Sequence, residues 1–174
     1  MKLFCLAFLT AAASCAAEHT LQLTPAATKI EWTLSDPLHT VHGTFKLKSG
    51  MIKFDPETGK ASGEVVVDVA SGESGSQARD SRMHANVLES AKYPEATFTP
   101  DRIDGMKVHG TLRIHGADHE ITMNAESTPA GEKLQVHLTF EIPYVAWGMK
   151  DPSNFLLRVG KTVQVQIDAT ASQQ

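Results

Sequence analysis

Cysteine is almost absent from this chain of 174 residues and occurs only near its start, at Cys5 and Cys15. Residues 18–174 therefore offer no disulfide, no thiolate nucleophile and no cysteine ligand for a metal. A basic surplus is missing too, since 16 Lys and Arg stand against 20 Asp and Glu, for a net charge of −4. Because binding to phosphate backbones needs clustered basic residues, nucleic acid is disfavoured as a partner.

Motifs of common hydrolases are also lacking. The chain has neither a G-x-S-x-G nucleophile elbow nor an H-E-x-x-H zinc motif. The acidic residues of its alternating segments share the polar face, which leaves the apolar face without a general acid or base. We therefore predict a protein that is not an enzyme, with no catalytic residues, no metal ligands and no cofactor.

The one long apolar run lies in the first eighteen residues, MKLFCLAFLTAAASCAAE. Lys2, an apolar core and small residues up to Ala17 follow the order of a secretory signal. We expect residues 1–17 to be a signal peptide and residues 18–174 to form one domain, periplasmic or secreted. The residues before Cys15 loosely resemble a lipobox, so lipoprotein anchoring through Cys15 is kept as an alternative.

Beyond residue 28, apolar residues recur at every second position, as in KIEWTLS with Ile30 and Trp32 on one face. This period predicts about nine short β-strands, joined by turns that contain Gly, Asp or Pro. One apolar and one polar face per strand is typical of a sandwich or a closed barrel, and about eight strands can enclose one small ligand. The small inward residues Gly43, Gly110 and Ala125 favour a cavity over a filled interior.

A first break in the alternation lies in RDSRMHANVLESAKYPEATF, residues 79–98. From about Gln77 to Glu89, apolar residues recur at helical spacing, and Tyr93-Pro94 ends the segment. We expect Arg79 and Asp80 to fix the start of this helix through hydrogen bonds, and His84 to make a structural hydrogen bond. The apolar side of the helix is expected to close against the barrel.

A second break is residues 143–160, PYVAWGMKDPSNFLLRVG, a long connection that is rich in aromatic and aliphatic residues. Long loops in compact domains are often lids or binding loops. We predict that this loop lies at the mouth of the barrel.

The chain has eight histidines, which raise the alternative of metal or acid–base chemistry. Four of them should face outward by strand parity: His42, His109, His115 and His137. A metal would be best placed between His39 and His119 at the barrel rim. A hydrolase or isomerase that uses His39, His84 and His119 therefore remains an alternative, as does a partner-binding module of a membrane redox system.

Several ordered motifs resemble the YceI-like family of secreted lipid-binding proteins. They are R-D-x-x-M-H at 79–84, V-L-E-S at 87–90, Y-P-x-x-x-F at 93–98, GTLRIHG at 110–116, and WGMKDPSNFLLRVGKTVQVQI at 147–167. The resemblance implies an all-β fold with a short helix, an extended lipocalin-like antiparallel β-barrel of about eight strands. It also implies a lumen that holds an isoprenoid-like amphiphile of polyprenyl or quinone type.

Carried over onto this chain, the resemblance implies that the helix lies beside the pocket and that residues 147–155 lie near a mouth. Which residues contact the ligand is predicted from strand parity. The predicted ligand-binding residues are Trp32, Phe45, Val67, Met83, Val87, Leu88, Phe98, Leu112, Met123, Phe140, Trp147 and Phe155. The expected function is transport, storage or sequestration of the lipid. Peripheral membrane contact and assembly as a dimer are left open.

Overall fold

The computed structural model describes residues 18–35, 39–153 and 158–173. Within these ranges the chain forms nine strands and one helical segment between the fourth and fifth strands. The elements are β1 (His19–Leu23), a 3-10 turn (Pro25–Ala27), β2 (Lys29–Ser35), β3 (Thr40–Phe54), β4 (Ala61–Glu73), α1 (Gln77–Arg82), a π-turn (Met83–Val87), β5 (Glu95–Asp104), β6 (Lys107–Ile114), β7 (Ala117–Ala130), β8 (Lys133–Ile142) and β9 (Val163–Gln173).

The strands form one antiparallel sheet that closes on itself. From β4 to β9 each strand pairs with the next along the chain, β9 pairs with β2, and β2 pairs with β3. Pairing of β3 with β4 completes the ring, which satisfies the backbone groups that an open sheet would leave at its edges. The predicted antiparallel barrel of about eight strands is thus confirmed.

The first two strands share one position in this ring, which is why nine strands make an eight-membered barrel. β2 pairs with the first half of β3, through Ile30 opposite Phe45. β1 pairs with the second half of β3, through Leu21 opposite Ile52, and both β1 and β2 also pair with β9. The 3-10 turn at Pro25–Ala27 separates the two, because proline cannot donate a ladder hydrogen bond.

The long strand β3 contains a bulge that changes which residues face inward. Phe45 and Leu47 pack on the core, and the next residue to face inward is Gly50, which contacts Leu23. Gly50 is three positions after Leu47, whereas regular alternation would place the next inward residue two positions after it. The register with β4 shifts between Leu47 and Ser49, which inserts one extra residue and inverts the alternation. Period-two reasoning therefore splits this region into two strands, although the chain runs through it as one.

The interior is apolar and consists of two clusters on opposing parts of the wall. One cluster is built on β1, β2, β3 and β9, with Ile30, Leu47 and Val165 buried at its centre. The other is built on β4 to β7, with Phe98, Leu112 and Met123 buried. Four partly buried residues pack against both clusters: Val65, Val67, Phe140 and Ile142.

The helical segment is shorter and less regular than predicted. α-Helical geometry holds from Gln77 to Arg82 and gives way to one π-turn, in which the Leu88 N–H donates to the Met83 carbonyl at 2.9 Å. Glu89 then adopts a left-handed backbone with φ of 45°, which ends the helical run before Tyr93-Pro94. The expected helix therefore exists, but its last turn is widened.

Candidate ligand-binding site

One end of the barrel is overlaid by the segments that interrupt the strand pattern. Strands β2, β4, β6 and β8 all finish at this end, because neighbouring strands run in opposite directions. We call it the covered end; it carries the helical segment 77–88, the turn 114–117 and the described part of the loop that follows β8. In the described ranges no helix is long and apolar enough to cross a membrane.

The start of the helix is tied to the preceding loop by two charged side chains. The Asp80 carboxylate accepts hydrogen bonds from the backbone N–H (2.9 Å) and the hydroxyl of Ser74. Arg79 donates from Nε to the Ser74 hydroxyl at 2.7 Å and from its guanidinium to the Ser74 carbonyl at 2.9 Å. The prediction that Arg79 and Asp80 fix the helix start is confirmed, although Ser76 makes no capping hydrogen bond through its side chain.

His84 also has a structural role, as predicted. Its Nε2 lies 2.8 Å from the carbonyl oxygen of Gly72 on β4. A carbonyl only accepts, so the Nε2 atom carries the proton and joins the π-turn to the barrel wall. Its Nδ1 atom is buried and has no hydrogen-bond partner within the described residues.

The predicted lining residues on the strands do face the interior. Trp32, Phe98, Leu112 and Met123 are buried, between 3% and 7% exposed. Phe45, Val67 and Phe140 are partly buried and pack against the apolar clusters. All seven strand residues that parity predicted to face inward therefore lie on the inner wall of the barrel.

The predicted helical and loop residues divide into three groups. Leu88 and Trp147 pack against the cluster built on β4 to β7. Met83 and Val87 are partly buried but belong to neither apolar cluster. Phe155 lies outside the described residues.

The inward glycines do not leave the open space that their size predicts. A side chain built at Gly43 would lie 2.2 Å from the indole of Trp32, and one at Gly110 would lie 2.8 Å from the ring of Phe98. The inference that Gly43 and Gly110 favour a cavity is therefore wrong, because each provides the gap into which an aromatic ring packs. Gly72 accommodates Phe45 in the same way, at 2.4 Å.

His119 is near the start of β7, at one end of the barrel, where a rim histidine was expected. It faces the interior, opposite Leu112 and on the same side of β7 as Ile121 and Met123. Its ring stacks on Trp147, with centroids 4.0 Å apart and planes within 6° of parallel. Its Nε2 atom is buried and has no partner among the described residues. Parity with Met123 was the sequence signal that could have placed it inside.

The loop after β8 is held down by two buried members of its aromatic and aliphatic set, Tyr144 and Met149. Tyr144 and Met149 are 4% and 3% exposed, and the Tyr144 hydroxyl donates to the carbonyl of Gly160 at 2.7 Å. Burial, with a smaller contribution from the charge of Asp151, raises the pKa of Tyr144 to about 12. The two described aromatic residues of this loop, Tyr144 and Trp147, therefore pack inward, as expected for a segment that covers a mouth.

The outward histidines pair with polar side chains on the outside of the barrel. His42 contacts the hydroxyl of Thr33, His109 that of Thr122, and His137 the carboxylate of Asp168, at 3.0, 2.9 and 2.6 Å. His115 was also predicted to face outward, but its side chain is only 15% exposed, in the turn after β6. Its ring packs on Tyr93, with centroids 4.6 Å apart, and its Nε2 atom lies 2.7 Å from Glu89. Across the described ranges, no three His, Cys, Asp or Glu residues are grouped so that they could hold a metal ion.

A separate groove of about 330 Å³ lies on the outside of the barrel. Its lining is largely polar and includes Glu126, Gln135 and the His137–Asp168 pair. The hydrogen bond from His137 holds the pKa of Asp168 below its usual value.

Comparison with known proteins gives partial sequence matches and close matches of fold. The YceI protein of an Escherichia coli strain is 30% identical over 98 residues, which are 53% of this chain and 51% of the relative. A UPF0312 protein of Vibrio cholerae is 34% identical over 99 residues, 53% and 52% of the two chains. The chain thus spans about half the length of the curated relatives it matches.

Solved structures match over most of the chain. Burkholderia cenocepacia BcnA has a TM-score of 0.73 at 22% identity and covers 86% of this chain and 99% of its own. A polyisoprenoid binding domain from Saccharophagus degradans, implicated in plant cell wall breakdown, has a TM-score of 0.68 at 18% identity, with 88% and 98% covered. A Campylobacter jejuni YceI protein has a TM-score of 0.66 at 25% identity, with 80% and 89% covered. Since residues 21–171 match the YceI-like domain, the chain belongs to the YceI-like family.

Proposed function

We propose that this protein binds an isoprenoid-like amphiphile, of polyprenyl or quinone type, in the lumen of its barrel and does so without catalysis. The protein would transport, store or sequester the lipid. The observation that carries the proposal is the partial exposure of apolar residues that face inward. Val65, Val67, Phe140 and Ile142 retain accessible surface although they contact both apolar clusters.

Partial exposure of these residues argues for space between the two clusters. A side chain that faces the inside of a closed barrel can keep accessible surface only if its neighbours leave room beside it. Burial stabilises by roughly 25 cal/mol per Å² of apolar surface removed from water. A hydrocarbon chain lying along these side chains could therefore bind without polar contacts.

The amphiphile would lie with its polar head at the covered end. The described strand residues facing the lumen are apolar over most of its length, and the polar side chains His84 and His119 lie at that end. The polyisoprenoid binding domain of Saccharophagus degradans, which has the same fold, supports binding of an isoprenoid lipid by similarity.

The proposal includes a site of action outside the cytoplasm. Its support is the pattern of a secretory signal in residues 1–17. A soluble barrel released there would load and unload its lipid through peripheral contact with a membrane. Anchoring through Cys15 is the alternative, and mass measurement of the mature N-terminus distinguishes the two.

Native mass spectrometry, combined with lipid extraction of the purified protein, tests binding directly. The wild-type protein should carry an isoprenoid lipid or take up an added polyprenol. Replacement of Val67 by Trp would fill the space between the clusters and should abolish uptake. Asn124→Trp, which places the same ring on the exposed outer face of β7, is the matched control.

The two possible interiors give different results for Val67→Trp. If the lumen is open, the variant folds normally and only its lipid content falls. If the lumen is filled by side chains, overpacking costs about 1–3 kcal/mol of stability, and the wild-type protein binds no lipid. That second result would overturn the proposed function.

A further inference from the structure

Three buried polar atoms have no hydrogen-bond partner in the described part of the chain: Trp32 Nε1, His84 Nδ1 and His119 Nε2. All three lie towards the covered end. Trp32 is in the middle of β2, but its ring packs over Gly43 beside Glu73, the last residue of β4. His84 contacts Gly72 near the end of β4, and His119 is near the start of β7. Since buried polar groups in native proteins are nearly always paired, three at one end of an apolar barrel point to a missing partner.

The three atoms provide both kinds of hydrogen-bonding capacity. The indole N–H of Trp32 can only donate. Because His84 uses its Nε2 proton on the Gly72 carbonyl, its Nδ1 atom is an acceptor when the ring is neutral. His119 can donate or accept through Nε2, according to its tautomer. A group with a hydroxyl or carbonyl oxygen could satisfy such a set.

A strongly anionic group would be poorly accommodated there. Among the described residues no Lys, Arg, Asp or Glu is buried. Of the cations near the covered end, Arg79, Arg113 and Lys161 contact Ser74, Asp118 and Asp151, and the other described ones, Arg82, Lys150 and Arg158, are exposed to solvent. A diphosphate needs cations or several converging donors to replace its hydration.

From this arrangement we infer that the covered end selects an uncharged, oxygen-bearing head group and that His119 is the residue that recognises it. Stacking on Trp147 fixes the plane of the His119 ring without using Nε2 for a protein hydrogen bond. His84, by contrast, is already committed to Gly72. The inference rests on the proposed function, because it assigns one end of the same lumen.

Three isoprenoid ligands test this inference: a long-chain polyprenol, the corresponding polyprenyl diphosphate, and the hydrocarbon squalene. Binding is measured by native mass spectrometry and by fluorescence of the chain's two tryptophans, which both lie at the covered end. The wild-type protein should bind the polyprenol more tightly than the diphosphate. His119→Phe keeps a stacking ring but removes Nε2, and should weaken polyprenol binding about twofold to tenfold, as expected for one hydrogen bond.

Squalene and an outward histidine are the controls. Squalene has no head group, so His119→Phe should leave its affinity within a factor of about two. His109→Phe makes the same change on the outer face of β6 and should leave the binding of all three ligands unchanged. His119→Gln keeps a hydrogen-bonding group without the ring, and should retain more of the polyprenol preference than His119→Phe.

The outcomes separate this inference from the proposed function. Equal weakening of polyprenol and squalene binding in His119→Phe would show a packing role for His119 and overturn the inference. Tighter binding of the diphosphate than of the polyprenol by the wild-type protein would overturn the selection of an uncharged head. Failure of the wild-type protein to bind any of the three ligands would instead overturn the proposed function.

Discussion

The imidazole of His119 lies parallel to the indole of Trp147, with ring centroids 4.0 Å apart. His119 is on the inner wall of β7, and Trp147 belongs to the loop that follows β8. The stack therefore fastens this loop to the strand wall at the covered end. It also leaves one buried ring nitrogen without a protein partner in the described residues.

Replacement of His119 by Phe should have an unusual effect on stability. A buried polar atom without a partner costs about 1–3 kcal/mol, so we expect the lipid-free variant to be as stable as the wild type or more stable. His84→Phe is the matched contrast, because it removes the bond to Gly72 and should destabilise by about 1 kcal/mol. Urea unfolding of delipidated proteins measures both changes. A larger loss for His119→Phe than for His84→Phe would contradict this expectation.

Gly43→Ala should be strongly destabilising. The new methyl group would lie 2.2 Å from Trp32 and 2.3 Å from the Glu73 carbonyl oxygen, so ring and backbone must both shift. We expect a loss of about 1–3 kcal/mol in the free energy of unfolding, of which Trp32→Phe should restore part. Gly75→Ala is the control, because its new methyl group would meet open space. This substitution should lower the free energy of unfolding only by the cost of a left-handed backbone at alanine, about 1 kcal/mol. Equal effects at the two glycines would argue against the tight Trp32 contact.

Asp80→Ala should loosen the start of the helical segment. The change leaves the Ser74 N–H and hydroxyl without their acceptor, which should cost about 1 kcal/mol. Hydrogen exchange should accelerate at Ser74 and through residues 77–88, while the exchange of the barrel strands stays slow. Asp104→Ala, which removes only an exposed ion pair with Arg102, should change neither quantity appreciably. Uniform acceleration over the barrel would show that the segment does not open separately.

Tyr144→Phe should reveal a pH dependence of the loop anchor. Because the pKa of Tyr144 is raised from 10.0 to about 12, the unfolded chain loses this proton at lower pH than the native protein. The stabilisation from Tyr144 is therefore complete below pH 10 and declines as the pH rises from 10 to about 12, by up to about 1.4 kcal/mol per pH unit. The difference in unfolding free energy between wild type and variant should narrow over that range. A constant difference would mean that the buried hydroxyl does not keep its proton.

Strand parity in the sequence predicted much of the inner wall correctly. Trp32, Phe98 and Met123 face inward because period-two alternation is a local property of a pleated strand with one buried face. The same reasoning failed at the β3 bulge, where one extra residue inverts the alternation, and it missed β1. A bulge depends on the partner strand, so a single segment gives no signal for it.

The candidate site was predicted less completely than the fold. His84 and Asp80 could be assigned structural roles because their partners lie within twelve residues along the chain. Trp32 fills the space above Gly43 because the register of β2 with β3 places the two residues opposite each other. That register cannot be predicted from composition. Residue size alone therefore suggested a cavity at a position that is filled.

By itself the sequence determined the all-β class, the inner and outer faces of most strands, and the places where that pattern breaks. These properties follow from local periodicity and from the backbone preferences of proline and glycine. Only the tertiary structure decided the closure of the ring by β3 and β4 and the stacking of His119 on Trp147. Both join residues that are distant along the chain, and their geometry is set by strand register and side-chain packing rather than by any local pattern.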